Sequence, residues 1–134
     1  MREPQSDLEL VVTEWLAALG RGDPDTVARR LNEGVVWRGI REDFVCHGRR
    51  EVLELLREAL RGAPAVEAIE VVAGERAVAL GIRSPDLREI GGVPIPGQLF
   101  NVFELRDGRI VAIQDHVRRE DALRAAGAAA PDWH

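Results

Sequence analysis

One cysteine, no tyrosine and no apolar run of membrane-spanning length set the first limits on this chain of 134 residues. A single thiol, Cys46, can form neither an internal disulfide framework nor a cysteine-cluster metal site, and no metal or other cofactor is expected. The formal net charge is −5 and no basic run interrupts it, which argues against a nucleic-acid surface. The longest apolar stretches fall well short of the ~20 residues that cross a bilayer. The opening Met1-Arg2-Glu3-Pro4-Gln5-Ser6-Asp7 has no apolar signal core, so the expectation is a cytoplasmic protein with no membrane partner. What remains, 46% hydrophobic and 31% charged residues, is enough to bury one real core, and the whole of 1–134 is expected to be a single domain.

The strongest local signal is near the C-terminal end. Gln98 to Arg106 and Arg109 to Arg118 are two β-rich runs separated by Asp107-Gly108, a pair that tolerates the positive φ of a tight hairpin turn. Alternation places Leu99, Asn101, Phe103 and Leu105 on one side of the first strand. On the second strand it places Val111, Ile113, Asp115 and Val117 together. A carboxylate in a row of branched aliphatics needs a partner, a raised pKa or a chemical task. Asp115 is therefore either a structural carboxylate, paired with an arginine or a backbone N–H, or a functional one.

Along the chain, Ser6 and Glu9 have capping-box spacing, and Leu8, Val11, Val12, Trp15, Leu16 and Leu19 form one helical stripe. Asp23-Pro24 starts a short second helix, with Val27, Ala28 and Leu31 inward and Asn32 and Gly34 as its stop. Val35 to Arg38 and Phe44 to Cys46 read as short strands. A third helix runs from Arg49 to about Arg61 with Gly62-Ala63-Pro64 as its stop. Val66 to Ala73 and Arg76 to Ser84 are β-rich runs around Gly74-Glu75. Pro85 to Gly97, with three prolines and three glycines, is a loop at the sheet end. Arg119 to Ala126 can form a short helix, and 127–134 reads as a mobile tail carrying Trp133. Helices first and a strand meander afterwards predict an α+β domain, its helices packed on one face of a curved antiparallel sheet. The other face carries Phe100, Val102, Ala112 and His116, too apolar to leave wet, so a homodimer through that face is the expected cover.

Several of these stretches resemble the SnoaL-like, nuclear transport factor 2-like superfamily: Glu14-Trp15-Leu16-Ala17-Ala18-Leu19-Gly20-Arg21-Gly22-Asp23, Val35-Val36-Trp37, Gly48-Arg49-Arg50-Glu51-Val52, and above all Asn101-Val102-Phe103, Asp107-Gly108-Arg109-Ile110 and Asp115-His116. The resemblance implies a cone, the cystatin-like α+β roll, in which a bent sheet and three N-terminal helices enclose a pocket. It leaves the activity open, because that fold hosts isomerases, epoxide hydrolases, polyketide cyclases and non-catalytic binding modules. By the resemblance, Trp15 and Asn101 fall where ketosteroid isomerases place two oxyanion donors, and both can donate. The isomerase base corresponds to Gly39, which has no side chain. Asp115 falls on the water-activating aspartate of the epoxide hydrolases, whose supporting tyrosine and asparagine correspond to Trp37 and Gly39. Their Arg-x-Asp pair is echoed by Arg83-Ser84-Pro85-Asp86, one residue too long.

The expected pocket row is Trp15, Trp37, Arg83, Asn101, Phe103 and Asp115, with His47 at the rim. Asp115 and Asn101 are the catalytic candidates and the others are ligand-binding. If Arg83 pairs with Asp115, the aspartate stays ionised and is a poor base; if Arg83 points to the mouth, desolvation raises the Asp115 pKa. His116 faces away from Asp115, toward the expected interface. Loss of the isomerase base and of every tyrosine favours a protein that binds a small apolar molecule, carbonyl- or epoxide-bearing, without a complete known catalytic set. The alternative is a hydrolase, isomerase or cyclase using Asp115 as general base or water-orienter.

Overall fold

The computed structural model describes residues 11–61, 66–90 and 92–128. The first helix, α1, begins as a widened π turn over Val11–Leu16 and continues as α-helix over Ala17–Gly20. Its expected capping box at Ser6 lies outside the described residues. Asp23 caps α2 (Pro24–Ala28), its carboxylate accepting from the Thr26 N–H at 3.2 Å, with Pro24 in the first turn, where a missing N–H costs nothing. Then come β1 (Leu31–Arg38), β2 (Val45–His47) and α3 (Gly48–Arg61). The β-rich half supplies β3 (Ala68–Ala73), β4 (Val78–Arg83), a two-stranded clip of β5 (Glu89–Ile90) and β6 (Val93–Pro94), β7 (Gln98–Arg106) and β8 (Arg109–His116). The last helix is α4 (Arg119–Ala126).

Six strands form one sheet in the order β2-β1-β8-β7-β4-β3. The Asp107-Gly108 turn joins β7 to β8 with φ of 54° and 75°, as the hairpin signal requires. The sheet departs from the expected antiparallel pattern at one place: β1 runs parallel to β8, with Trp37 opposite Ile113. Nothing local announces that pairing, because it joins segments some 75 residues apart in the chain. The same pairing explains why α2 ends early. Leu31, expected on the helix, pairs with Ile110, and the Ile110 N–H donates to the Arg30 carbonyl at 2.7 Å, so tertiary pairing overrides the apolar spacing.

The concave face holds the main core, where Trp37, Val78, Leu80, Phe103 and Ile113 meet Val11, Trp15 and Val27 of the first two helices and Val52 and Leu56 of α3. The convex face holds a second cluster. There Ala122 and Ala126 of α4 pack on Ala77, Ala79, Phe100 and Val102. Phe100 and Val102, on the face expected to meet a second subunit, are buried against α4 of the same chain. The sequence suggests a helix at 119–126, but its period does not say which surface it covers. Docking is enforced by the β3–β4 turn: the Arg76 and Ala77 N–H groups both donate to the Ala126 carbonyl, at 2.9 and 3.2 Å, and the Glu75 N–H donates to the Gly127 carbonyl at 3.1 Å. Arg119 holds the other end through a two-pronged pair with Glu70, both N–O distances 2.8 Å. Gly127, at φ 71°, closes the helix in the left-handed conformation. The expected mobile tail lies, from residue 129 onward, outside the described residues.

Gly74 leaves no room for a side chain, since a Cβ there would overlap the Ala126 carbonyl oxygen. Gly74→Val should therefore push α4 off the convex face and cost about 1–3 kcal/mol by urea unfolding. A loss within ~0.5 kcal/mol, the range of an ordinary surface change, would show that the clamp does not hold the helix.

Candidate functional site

Asn101 and Asp115 stand directly opposite each other across β7 and β8. Trp37 stands beside Ile113, two residues before Asp115 and so on the same face. Strand register alone thus brings one carboxylate and two N–H donors together on the concave side. Both donors use the same oxygen: the Trp37 indole N–H reaches Asp115 Oδ1 at 2.9 Å and the Asn101 amide reaches it at 2.6 Å. Oδ2 is left as the acceptor available to the cavity that Asp115 lines.

That cavity is about 260 Å³. Its walls are Gly39, Ile40 and Phe44 of the β1–β2 connection, Leu55 of α3 and Ile90 of the β5–β6 clip, with the Arg41–Asp43 ion pair on its exposed side. Asp115 is only 8% exposed. Burial pushes its pKa up to about 6, although the hydrogen bonds from Trp37 and Asn101 pull the other way. Two neutral dipoles stabilise the carboxylate less than water did, which is why desolvation wins.

Gly39, where the resemblance puts an isomerase base, is not an open slot. A Cβ built there would lie 2.5 Å from the Phe44 ring, so the aromatic fills the space. The turn is tied by the Gly39 N–H to the Phe44 carbonyl at 2.9 Å and by the Phe44 N–H to the Arg41 carbonyl at 3.0 Å.

Of the remaining expected site residues, Trp15 and Phe103 lie beneath the cavity rather than on it. Trp15 packs against Trp37 with ring centroids 6.0 Å apart and edge-on to Phe103 at 4.8 Å, all three rings buried. They hold the Trp37 indole in place by packing. Arg83 is separated from this group by the sheet: Leu80 and Ile82 share the Asn101 face, and Arg83, next along β4 and opposite Gln98, leaves on the other side. The register thus separates Arg83 from Asp115, and it is the desolvated, raised-pKa alternative for Asp115 that holds. His47 is exposed and outside the cavity lining; its backbone N–H donates to Glu51 at 2.9 Å. Cys46, opposite Trp37, packs on the core, and burial above all raises its thiol pKa. His116 faces away from Asp115, with a buried Nε2 that has no hydrogen-bond partner among the described residues and a pKa lowered by burial.

The apolar walls Ile40, Phe44, Leu55 and Ile90 were missing from the sequence-based row. They come from a turn, a helix and a clip, none of which shares the two-residue period used to find the others. The available signal was Gly39 ending β1 with an aromatic five residues later.

The raised carboxyl pKa gives stability a pH dependence. A group more easily protonated when folded contributes fully below its unfolded pKa, near 3.9, and that contribution is lost as pH rises through about 6. At pH 8 the ionised Asp115 costs up to about 3 kcal/mol relative to the protonated form. Asp115→Asn keeps an Oδ1 for both donors, so the variant should melt higher than wild type at pH 8 and match it near pH 4. A lower melting temperature at pH 8 would mean that the charge itself stabilises the fold.

The sequence profile described as the SnoaL-like domain matches residues 12–113. Comparison with curated protein sequences gives no match. Among solved structures, a steroid delta-isomerase from Pseudomonas aeruginosa is 22% identical and superposes with a TM-score of 0.64, covering 95% of this chain and 90% of that one. An LEH-like epoxide hydrolase from M. tuberculosis is 26% identical, with a TM-score of 0.60 over 90% of this chain and 89% of that one. An uncharacterized cystatin fold protein from Novosphingobium aromaticivorans is 14% identical, with a TM-score of 0.63 over 84% and 99% respectively.

Proposed function

Because the chain belongs to the SnoaL-like domain family, within the nuclear transport factor 2-like superfamily, we propose that it is an enzyme that uses Asp115 to move a proton on a small, mostly apolar substrate. The observation that carries this reading is the division of labour on one carboxyl group: Oδ1 is fixed by Trp37 and Asn101 while Oδ2 is offered to an apolar cavity. A pKa of about 6 lets the group accept a proton at neutral pH and return it readily, the condition for efficient general acid–base work.

The reaction that fits best is addition of water. Ionised Asp115 takes a proton from a water through Oδ2; the water oxygen attacks an electrophilic carbon, such as that of an epoxide; the protonated carboxyl then gives its proton to the opened oxygen. Asn101 and Trp37 act as positioning residues, because the Trp37 indole N–H and one of the two Asn101 amide N–H groups hold Oδ1. With the Trp37 indole and one Asn101 N–H held by Oδ1, fewer donors are left for the developing oxyanion of an enolate, which disfavours isomerisation. The epoxide hydrolase among the structural relatives lends the reading support by likeness of fold. A second reading, ligand holding without turnover, is favoured by the cavity lining, where apart from Asp115 the charged groups are Arg41 and Asp43, paired with each other.

Turnover of small epoxides to diols, followed by gas chromatography, tests the choice. Wild type should hydrolyse at least one monocyclic or aryl epoxide, and Asp115→Asn should lose about a hundred-fold or more in kcat with its fold intact. Equal rates for the two proteins, or binding with no diol formed, would transfer the cavity to the ligand-holding reading.

A further inference from the structure

Phe44 is one of three large hydrophobic side chains exposed among the described residues, at 39%, and it alone of the three lines the cavity. A single exposed hydrophobic side chain is ordinary on a protein surface; this one is set apart by its place in the cavity wall. Here its position is enforced. Glycine at 39 lets the ring lie across the end of β1, the two backbone bonds that close the 39–44 turn lock its Cα, and the Arg41–Asp43 pair, with N–O distances of 3.1 and 2.8 Å, ties the outer side of the same turn. The ring therefore stands as a fixed wall of the space into which Asp115 Oδ2 opens, with Leu55 and Ile90 as further walls.

We propose that Phe44, seated on Gly39, is the specificity-determining residue of this cavity and restricts it to neutral molecules of one or two rings, held on a flat apolar face with a single polar atom directed at Asp115. Three observations support the ligand class. At about 260 Å³ the space lies just below the roughly 300–1,000 Å³ range of ligand sites, which suits a mono- or bicyclic skeleton and is too small to enclose four fused rings. Its walls are predominantly aliphatic and aromatic, so the body of the ligand must be apolar. Among the described residues its charged groups are Asp115 and the paired Arg41 and Asp43, two carboxylates to one guanidinium, a balance that favours a neutral ligand over an anionic one. The proposal rests on the acid–base reading only for the direction of the polar atom; the size limit stands on Gly39 and Phe44.

The test uses neutral ketones as binding probes, cyclohexanone, 2-tetralone and a tetracyclic steroid ketone, with dissociation constants from ligand-observed NMR titration of wild type, Phe44→Ala, Phe44→Leu and Gly39→Ala. Wild type should bind 2-tetralone most tightly. Phe44→Ala should weaken 2-tetralone about ten-fold and bring the steroid ketone to equal or better affinity, with Phe44→Leu between. Gly39→Ala, whose new methyl must push the ring aside, should reproduce the loss without touching Phe44 itself; circular dichroism melts confirm that each variant is folded. An unchanged order of affinities in Phe44→Ala overturns the proposal, as does failure of wild type to bind any of the three at millimolar concentration. The acid–base reading fails separately, by undiminished epoxide turnover in Asp115→Asn, a result that leaves the ketone series unaffected.

Discussion

Everything at this site follows from one carboxylate oxygen that accepts two neutral hydrogen bonds while its twin accepts none from the described residues. Oδ1 of Asp115 is satisfied by Trp37 and Asn101, which lie on two different strands, and this can happen only if β1, β8 and β7 are in register. The core protects that register. Trp15 and Phe103 pack against the Trp37 ring, and Ile113 sits between Trp37 and Phe103 across the strands. A slip of one residue on any of the three strands would turn a member of the trio to the convex side. The fold therefore holds one acid, short of full electrostatic compensation, in the wall of an apolar space.

The cost of holding it is spread over the rest of the molecule. Two clusters, one on each face of the sheet, supply the burial that outweighs an ionised carboxylate in a dry setting. The convex cluster depends on α4, whose C-terminus is seated on the β3–β4 turn through backbone bonds that no side chain at position 74 could permit. The last helix buries Phe100 and Val102, the two apolar residues by which the alternation of β7 marks this face as needing cover. Among the described residues three helices close the concave side, and the cavity occupies the gap between α3, the 39–44 turn and the β5–β6 clip.

What could be read in the sequence were the features set by neighbours along the chain. The Asp107-Gly108 hairpin, the Asn101 and Asp115 parity, the cap of α2 and the span of α4 each depend on a few adjacent residues, and each stands as expected. Resemblance supplied the architecture, an α+β roll around a pocket, which composition and periodicity reach only as helices on a curved sheet. Features set by distant pairings were not legible. Leu31 carries the same apolar signal whether it ends a helix or begins a strand, and only Ile110 decides between them. Arg83 looked like a partner for Asp115 because both belong to the resemblance, yet one residue of parity sends it through the sheet. Phe44 reads in the sequence only as the start of a short strand, because an aromatic after a turn has no period and its place at the cavity depends on a side chain missing from Gly39.

The account stands on the protonation of one residue in the folded state. Carbon-13 NMR of the protein labelled at aspartate side-chain carbons, with the Asp115 resonance assigned by its disappearance in Asp115→Asn, measures that directly as pH is varied from 3 to 9. The account predicts a midpoint near 6 for Asp115, with the Trp37 indole N–H resonance shifting over the same interval because both report on Oδ1. A midpoint at or below the ordinary aspartate value of about 3.9, with the indole resonance unmoved, would contradict it.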